Sequence, residues 1–200
     1  MKSILSIMGI CLVIMAFTFA HPLDFSPTES DSAETALSDT SAFDKVMQVL
    51  THQRCVNCHP AGDKPRKGDD SHTTRALGVS RGEDGHGLEG IACSTCHTDE
   101  NNDFSGVPGA PHWALAPAGM AWEGKSRVEI ATQMMDPKRN GGRSHEEILE
   151  HLTEHELVLW AWDPGVDAEG IPREKPPVPK DEYIAAVKEW IHGGAIIPEQ

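Results

Sequence analysis

Positive charge is scarce in this chain. It has 17 Lys and Arg against 31 Asp and Glu, a formal net charge of −14, and residues 22–42 contain no Lys or Arg at all. Such a surface is repelled by nucleic acid and by anionic membranes, so an attracted partner should carry a basic face. Long apolar runs are also lacking after residue 20, where only 62 of 180 residues are apolar, a modest share for a packed domain. No period-2 alternation marks a strand of any length.

The one apolar run stands at the start. Residues 1–20 hold 15 apolar residues and one charge, Lys2. Thr18 and Ala20 are small residues ahead of a cut before His21-Pro22, the pattern of a secretory signal. Export to the periplasm or beyond is expected. The competing expectation is an uncleaved membrane anchor, because the run approaches a spanning length of roughly 17 to 20 residues; only then would the chain touch a membrane. A lipoprotein site at Cys11 is disfavoured by the bulky Ile10 before it. Cleavage would remove Cys11 and Lys2, leaving four cysteines and 16 basic against 31 acidic residues.

Residues 21–41 are rich in Ser, Thr, Asp and Glu and are expected to form a disordered acidic leader. Residues 42–200 read as one domain, mostly α with extensive irregular loops. Ser41 and Asp44 suit a capping box, and Phe43, Val46, Met47 and Leu50 share a helical face leading to Cys55. Residues 60–112 show no sustained period; a loop that long needs a core from something other than its own side chains. Ser126 with Glu129 opens a helix that stops before Asp136-Pro137. Ser144 with Glu147 opens another, carrying Ile148, Leu149, Leu152 and Leu157. Asp181 is the expected cap of a last helix, with Tyr183, Ile184, Val187, Trp190 and Ile191 on one stripe and Gly193-Gly194 as its stop.

The chemistry rests on an internal repeat, Cys55-Val56-Asn57-Cys58-His59 and Cys93-Ser94-Thr95-Cys96-His97. Both match the pentapeptide that attaches c-type haem, in which two thiols form thioethers and the adjacent His ligates the iron. Two residues between the cysteines let both sulfurs reach one porphyrin edge, and the next residue turns its imidazole beneath the ring. Zinc, a redox dithiol and a disulfide framework are the competing readings. A His would follow both Cys-x-x-Cys units by chance with a probability of about 0.3% at this His content, and the gap of 34 residues between the pairs exceeds the common zinc spacings. Two covalent haems would also supply the missing core for residues 54–112. Arg54, Lys64, Arg66, Lys67, Arg75 and Arg81 form a local positive excess suited to haem propionates, or to solvating the loop.

The second axial ligand decides what each iron does. His72, in the loop between the motifs, and His151, on the Ser144 helix, are the first candidates. Met120 follows, in a Pro-containing loop of the kind that presents a thioether. His52 lies one turn before Cys55. His86, His112, His145, His155 and His192 are expected to be solvent or hydrogen-bonding histidines, and Met47, Met134 and Met135 to be core. His151-Leu152-Thr153-Glu154-His155 fits a zinc-peptidase pattern, H-x-x-E-H, but the pattern is short and His is abundant here.

The stretches FDKVMQVLTHQRCVNCHP, CSTCHTDEN, VPGAPHW, MAWEGKS, DPKRNGG, LVLWAWDPG and EWIHGGA, spread over residues 43–198, make the chain similar to a family of small bacterial dihaem c-type cytochromes, often labelled isoquinoline 1-oxidoreductase subunit. The resemblance implies a cytochrome c-like dihaem domain and a redox partner for a molybdenum hydroxylase. It also places His72, His112, Met120 and His151 in or near family segments, where iron ligands are to be sought.

The expected function is therefore an exported dihaem c-type cytochrome that carries single electrons between redox proteins. Motifs 38 residues apart leave no room for two tandem cytochrome domains, so one shared fold is expected. The alternatives are a dihaem peroxidase with one open haem site and a sensor or assembly module tethered by its acidic leader.

Overall fold

The computed structural model describes residues 41–74 and 78–199. The expected signal segment, Arg75 and all of the expected leader but Ser41 lie outside the described residues. Among the described residues no helix is long and apolar enough to cross a membrane.

Helix α1 runs over residues 41–50 and buries Phe43, Val46, Met47 and Leu50, the stripe that its spacing predicts. It does not run on to Cys55. The chain breaks at Thr51-His52, and a short helix α2, Gln53–Val56, restarts where His52 Nδ1 accepts the Arg54 N–H. Helices α3 (Arg127–Met135) and α4 (His145–Glu154) both begin in complete capping boxes, Ser126 with Glu129 and Ser144 with Glu147. His155 has an extended backbone that ends α4, so Leu157 falls in the separate short helix α5, Glu156–Leu159. Helix α6, Lys180–His192, follows Pro179 with no side-chain cap; Asp181 lies in its first turn, not at the cap. There it still complements the positive end of the helix dipole. The helix ends at Gly193, and Gly194 turns the chain with φ +97°.

Helices α1, α3, α4 and α6 close one core. Phe43 meets Trp190 edge to face at 5.7 Å, and Ile130, Met134, Ile148, Leu152, Tyr183 and Val187 fill the space between. The helical half thus packs a core from its own side chains. The shortage of apolar residues is confined to the loop half, where the only regular strands among the described residues are two-residue antiparallel pairs. Strand β1 (Arg66–Lys67) pairs with β2 (His72–Thr73), and β3 (Gly87–Leu88) with β4 (Ile91–Ala92). Among the described residues the regular structure is mostly helical, set in extensive irregular chain, as the periodicities predict.

Candidate functional site

Each Cys-x-x-Cys-His unit winds into one tight helical turn. In the first, the N–H groups of Cys58 and His59 donate to the carbonyls of Cys55 and Val56 at 3.1 and 3.0 Å. In the second, Cys96 and His97 both donate to the Cys93 carbonyl, at 3.2 and 3.0 Å. The four cysteines are unpaired. The motifs are close enough for Cys93 to act electrostatically on the Cys58 thiol.

The two imidazoles are fixed alike. His59 Nδ1 donates to the Met120 carbonyl at 2.7 Å, and His97 Nδ1 donates to the Pro108 carbonyl at 2.7 Å. His59 stacks on Trp122 with 3.5 Å between centroids, and His97 on Trp113 with 4.4 Å, each pair within 10° of parallel. A carbonyl can only accept, so Nδ1 carries the proton and Nε2 keeps its lone pair, the tautomer a metal-bound imidazole requires. Gly109 makes the second arrangement possible: a Cβ there would overlap the carbonyl oxygens of Glu100 and Thr98.

The first motif opens into a cavity of about 300 Å³. Cys55, Cys58 and His59 line it together with His151 and Leu152 of α4. Burial pushes the His59 imidazole down to about 3, and His151 and Arg81 add to the effect. Burial likewise pushes His151 down to about 4, helped by His155 and Arg143. Both rings are neutral at ordinary pH and able to ligate. Desolvation raises the Cys55 thiol to about 12 and the Cys58 thiol to about 11, so without a bound group both are neutral at ordinary pH.

Of the expected sixth ligands, His151 is brought to the cavity. Met120 also lines it, but its carbonyl holds the imidazole of His59 and its side chain is buried in the helical core. His72 lies on strand β2, 45% exposed at the side chain and paired with Asp70, and does not line the cavity. His52 caps α2 beside Glu174.

The basic residues divide in the same way. Lys64 and Lys67 are exposed. Arg66 is held by Glu123, and Arg54 is buried against Asp69 and the Glu174 carbonyl. Arg81 is buried and bonded to Gly62 and Asp63.

Several members of the site carry only a weak signal in the sequence, His112 through its place in a segment shared with the family it resembles. His155 and His112 also line the cavity, with 4.8 Å between the rings of His151 and His155 and 5.9 Å between those of His155 and His112. His112 adopts φ +60°, uncommon for a residue with a Cβ. The i, i+4 spacing of His151 and His155 did place them on one face. Among the described residues no three His, Cys, Asp or Glu side chains converge as a metal cage. Trp122 and Trp113 became visible only through their stacking.

A porphyrin with an axial imidazole suits this donor set. It needs paired thiols, a proton-fixed His beside them, an apolar cleft and cationic groups for its carboxylates, and the first motif has all four. No protein-family model, no characterised protein and no solved structure matches this chain.

Proposed function

We propose that the chain attaches two c-type haems and works as an exported carrier of single electrons between redox proteins. The observation that carries this reading is the shared fixing of His59 and His97. Each donates Nδ1–H to a backbone carbonyl, stacks on a Trp and keeps Nε2 free next to two unpaired cysteines.

In this reading Cys55 and Cys58 hold one porphyrin and Cys93 and Cys96 the other. His59 and His97 would ligate the two irons, and His151 would be the further ligand of the one held by His59. When bound, the haem iron supplies one-electron exchange between its ferric and ferrous states. The chain orients the imidazoles, excludes water from the first site and sets the local charge. The contact of Phe43 on α1 with Trp190 on α6, and the first motif directly after α1, support a cytochrome c-like fold. The net acidic surface favours brief docking to a basic partner face. The molybdenum hydroxylase implied by the family resemblance is one such partner.

The test is holoprotein matured in an exporting host. Two haems should remain attached after denaturation, the mass should exceed that of the polypeptide by two haems, and the resting irons should be six-coordinate and low-spin. A preparation without covalent haem sinks the proposal. The peroxidase alternative draws on the second motif, whose Cys96 is exposed, and on the buried, unpartnered Nδ1 of His155 by the cavity. One high-spin iron with peroxide turnover would favour it.

A further inference from the structure

We infer that Asn101 is a positioning residue of the second motif, fixing both the peptide unit that holds His97 and the aromatic rings behind it, and so setting how strongly His97 donates to the second haem iron. The inference rests on the haem reading above and extends it to a side chain outside both pentapeptides.

Three bonds converge on the Asn101 amide. Its Oδ1 accepts from the Gly109 N–H at 3.1 Å and from Trp160 Nε1 at 2.9 Å, and its Nδ2 donates to the Asp163 carbonyl at 2.8 Å. A backbone N–H and an indole N–H can only donate and a carbonyl can only accept, so a single orientation of the amide satisfies all three. Gly109 is buried, and a buried backbone N–H needs an acceptor. A close approach of backbone brings Asn101 there: a Cβ on Gly109 would overlap the carbonyl oxygens of Thr98 and Glu100, just before Asn101 in the chain.

Two routes run from Asn101 to His97. The first passes through one peptide unit: its N–H, on Gly109, donates to Asn101, while its carbonyl, on Pro108, accepts from His97 Nδ1 at 2.7 Å. Hydrogen bonds in series polarise one another, so Asn101 makes that carbonyl a better acceptor. A stronger bond at Nδ1 in turn makes Nε2 a more basic ligand. The second route passes through rings. Trp160, held by Asn101, meets Trp113 edge to face at 5.0 Å, and Trp113 stacks on His97 at 4.4 Å. At the first motif main chain makes a tie of its own: the N–H groups of Trp122 and Glu123 donate back to the His59 carbonyl at 2.9 and 3.2 Å. The three Asn101 bonds all lie on the side of the second motif, so its influence falls on one haem.

The test uses full-length holoprotein and the variants Asn101→Ala and Asn101→Asp. Covalent haem per chain, both midpoint potentials and, in the reduced protein, the ring N–H proton resonances of the axial histidines are measured. Both variants should keep two haems. Asn101→Ala strips the acceptor from the Gly109 N–H and so weakens the Pro108 carbonyl. One ring N–H resonance should then move upfield and one potential should rise, because a less basic ligand favours the reduced iron. Asn101→Asp keeps the acceptor and adds negative charge to it, so the same resonance should move downfield and the same potential should fall. A mere loosening of the loop would not reverse sign between the two variants. If the Ala variant does not fold, the isosteric Asp variant decides by its own shifts. Native potentials and resonances in both, shifts of the same sign in both, or equal shifts of both haems would overturn this inference alone. Absence of haem from the unsubstituted protein would overturn the haem reading with it.

Discussion

His59 and Trp122 lie ring on ring, 3.5 Å between centroids and 9° from parallel. His97 and Trp113 repeat the relationship at 4.4 Å and 8°. The chain builds the two pairs from unlike spacings. The carbonyl that holds His59 is 61 residues further along the sequence, whereas the one that holds His97 is 11 residues further. Equal local geometry from unequal connections means that the imidazole surroundings are repeated, not the surrounding sequence. This separates the molecule from a tandem duplication and ties the loop half to the segment before α3.

His151 is predicted to be the second ligand of the iron bound through His59. In holoprotein, His151→Ala should convert one of two low-spin irons to high-spin, read by EPR and by the optical spectrum, with haem content unchanged. His72→Ala should leave both spectra native, because His72 is exposed on β2 and paired with Asp70. A spectral change in His72→Ala with none in His151→Ala would reverse the assignment.

Much of this was legible in the residues. Capping boxes at Ser126 and Ser144 announce their helices because a Ser side chain and a Glu three residues on satisfy each other's backbone neighbours locally. The stripes of α1, α4 and α6 are legible because burial follows helical period. The pentapeptides are legible because thiol and imidazole must be near neighbours to serve one ring. What stayed hidden is set by long-range contact. Trp122 and Trp113 lie 63 and 16 positions beyond the histidines they stack on, and no local pattern links them. Arg54 and Arg81 looked like their basic neighbours until burial set them apart from the exposed Lys64 and Lys67. His155 looked like solvent histidine because the break between α4 and α5 that turns it to the cavity is a backbone event with no Gly or Pro to mark it.

The two capping boxes should be worth similar amounts. Ser126→Ala and Ser144→Ala should each lower unfolding stability by about 1 kcal/mol, measured by urea denaturation of holoprotein. Each removes the acceptor for the N–H of Glu129 or Glu147 at 3.3 Å. Wild-type midpoints in both would show that these helices are fixed by packing alone.

Gly109→Ala should damage the second motif and spare the first. The added methyl would collide with backbone carbonyls of Thr98 and Glu100, which side-chain rotation cannot relieve. The loop must shift, and with it the Pro108 carbonyl that holds His97. The expected result is an altered spectrum or potential for one haem only. A variant with both haems native would show that the loop absorbs the methyl without moving Pro108.

Acid should weaken the fold in two steps. The Ser126 N–H first, then Lys125, hold the Glu129 carboxylate down at about 2, and the Ser144 N–H lowers Glu147. Their folded values lie below the unfolded ones, so their stabilisation is present above the ordinary carboxylate range of about 4.3 and is lost as pH falls toward about 2. In polypeptide before haem attachment the buried imidazoles act at higher pH. His59 and His151 sit at about 3 and 4, below the free value of about 6.5. Below that value the unfolded chain takes protons that the folded chain refuses, so stability falls as pH drops from about 6.5 toward those folded values. Thermal midpoints by circular dichroism should show both steps without haem. Glu129→Gln should flatten the lower step, and iron ligation of the two imidazoles should delay the upper one, because a coordinated nitrogen cannot accept a proton without leaving the metal. Identical pH profiles with and without haem would contradict ligation by His59 and His151.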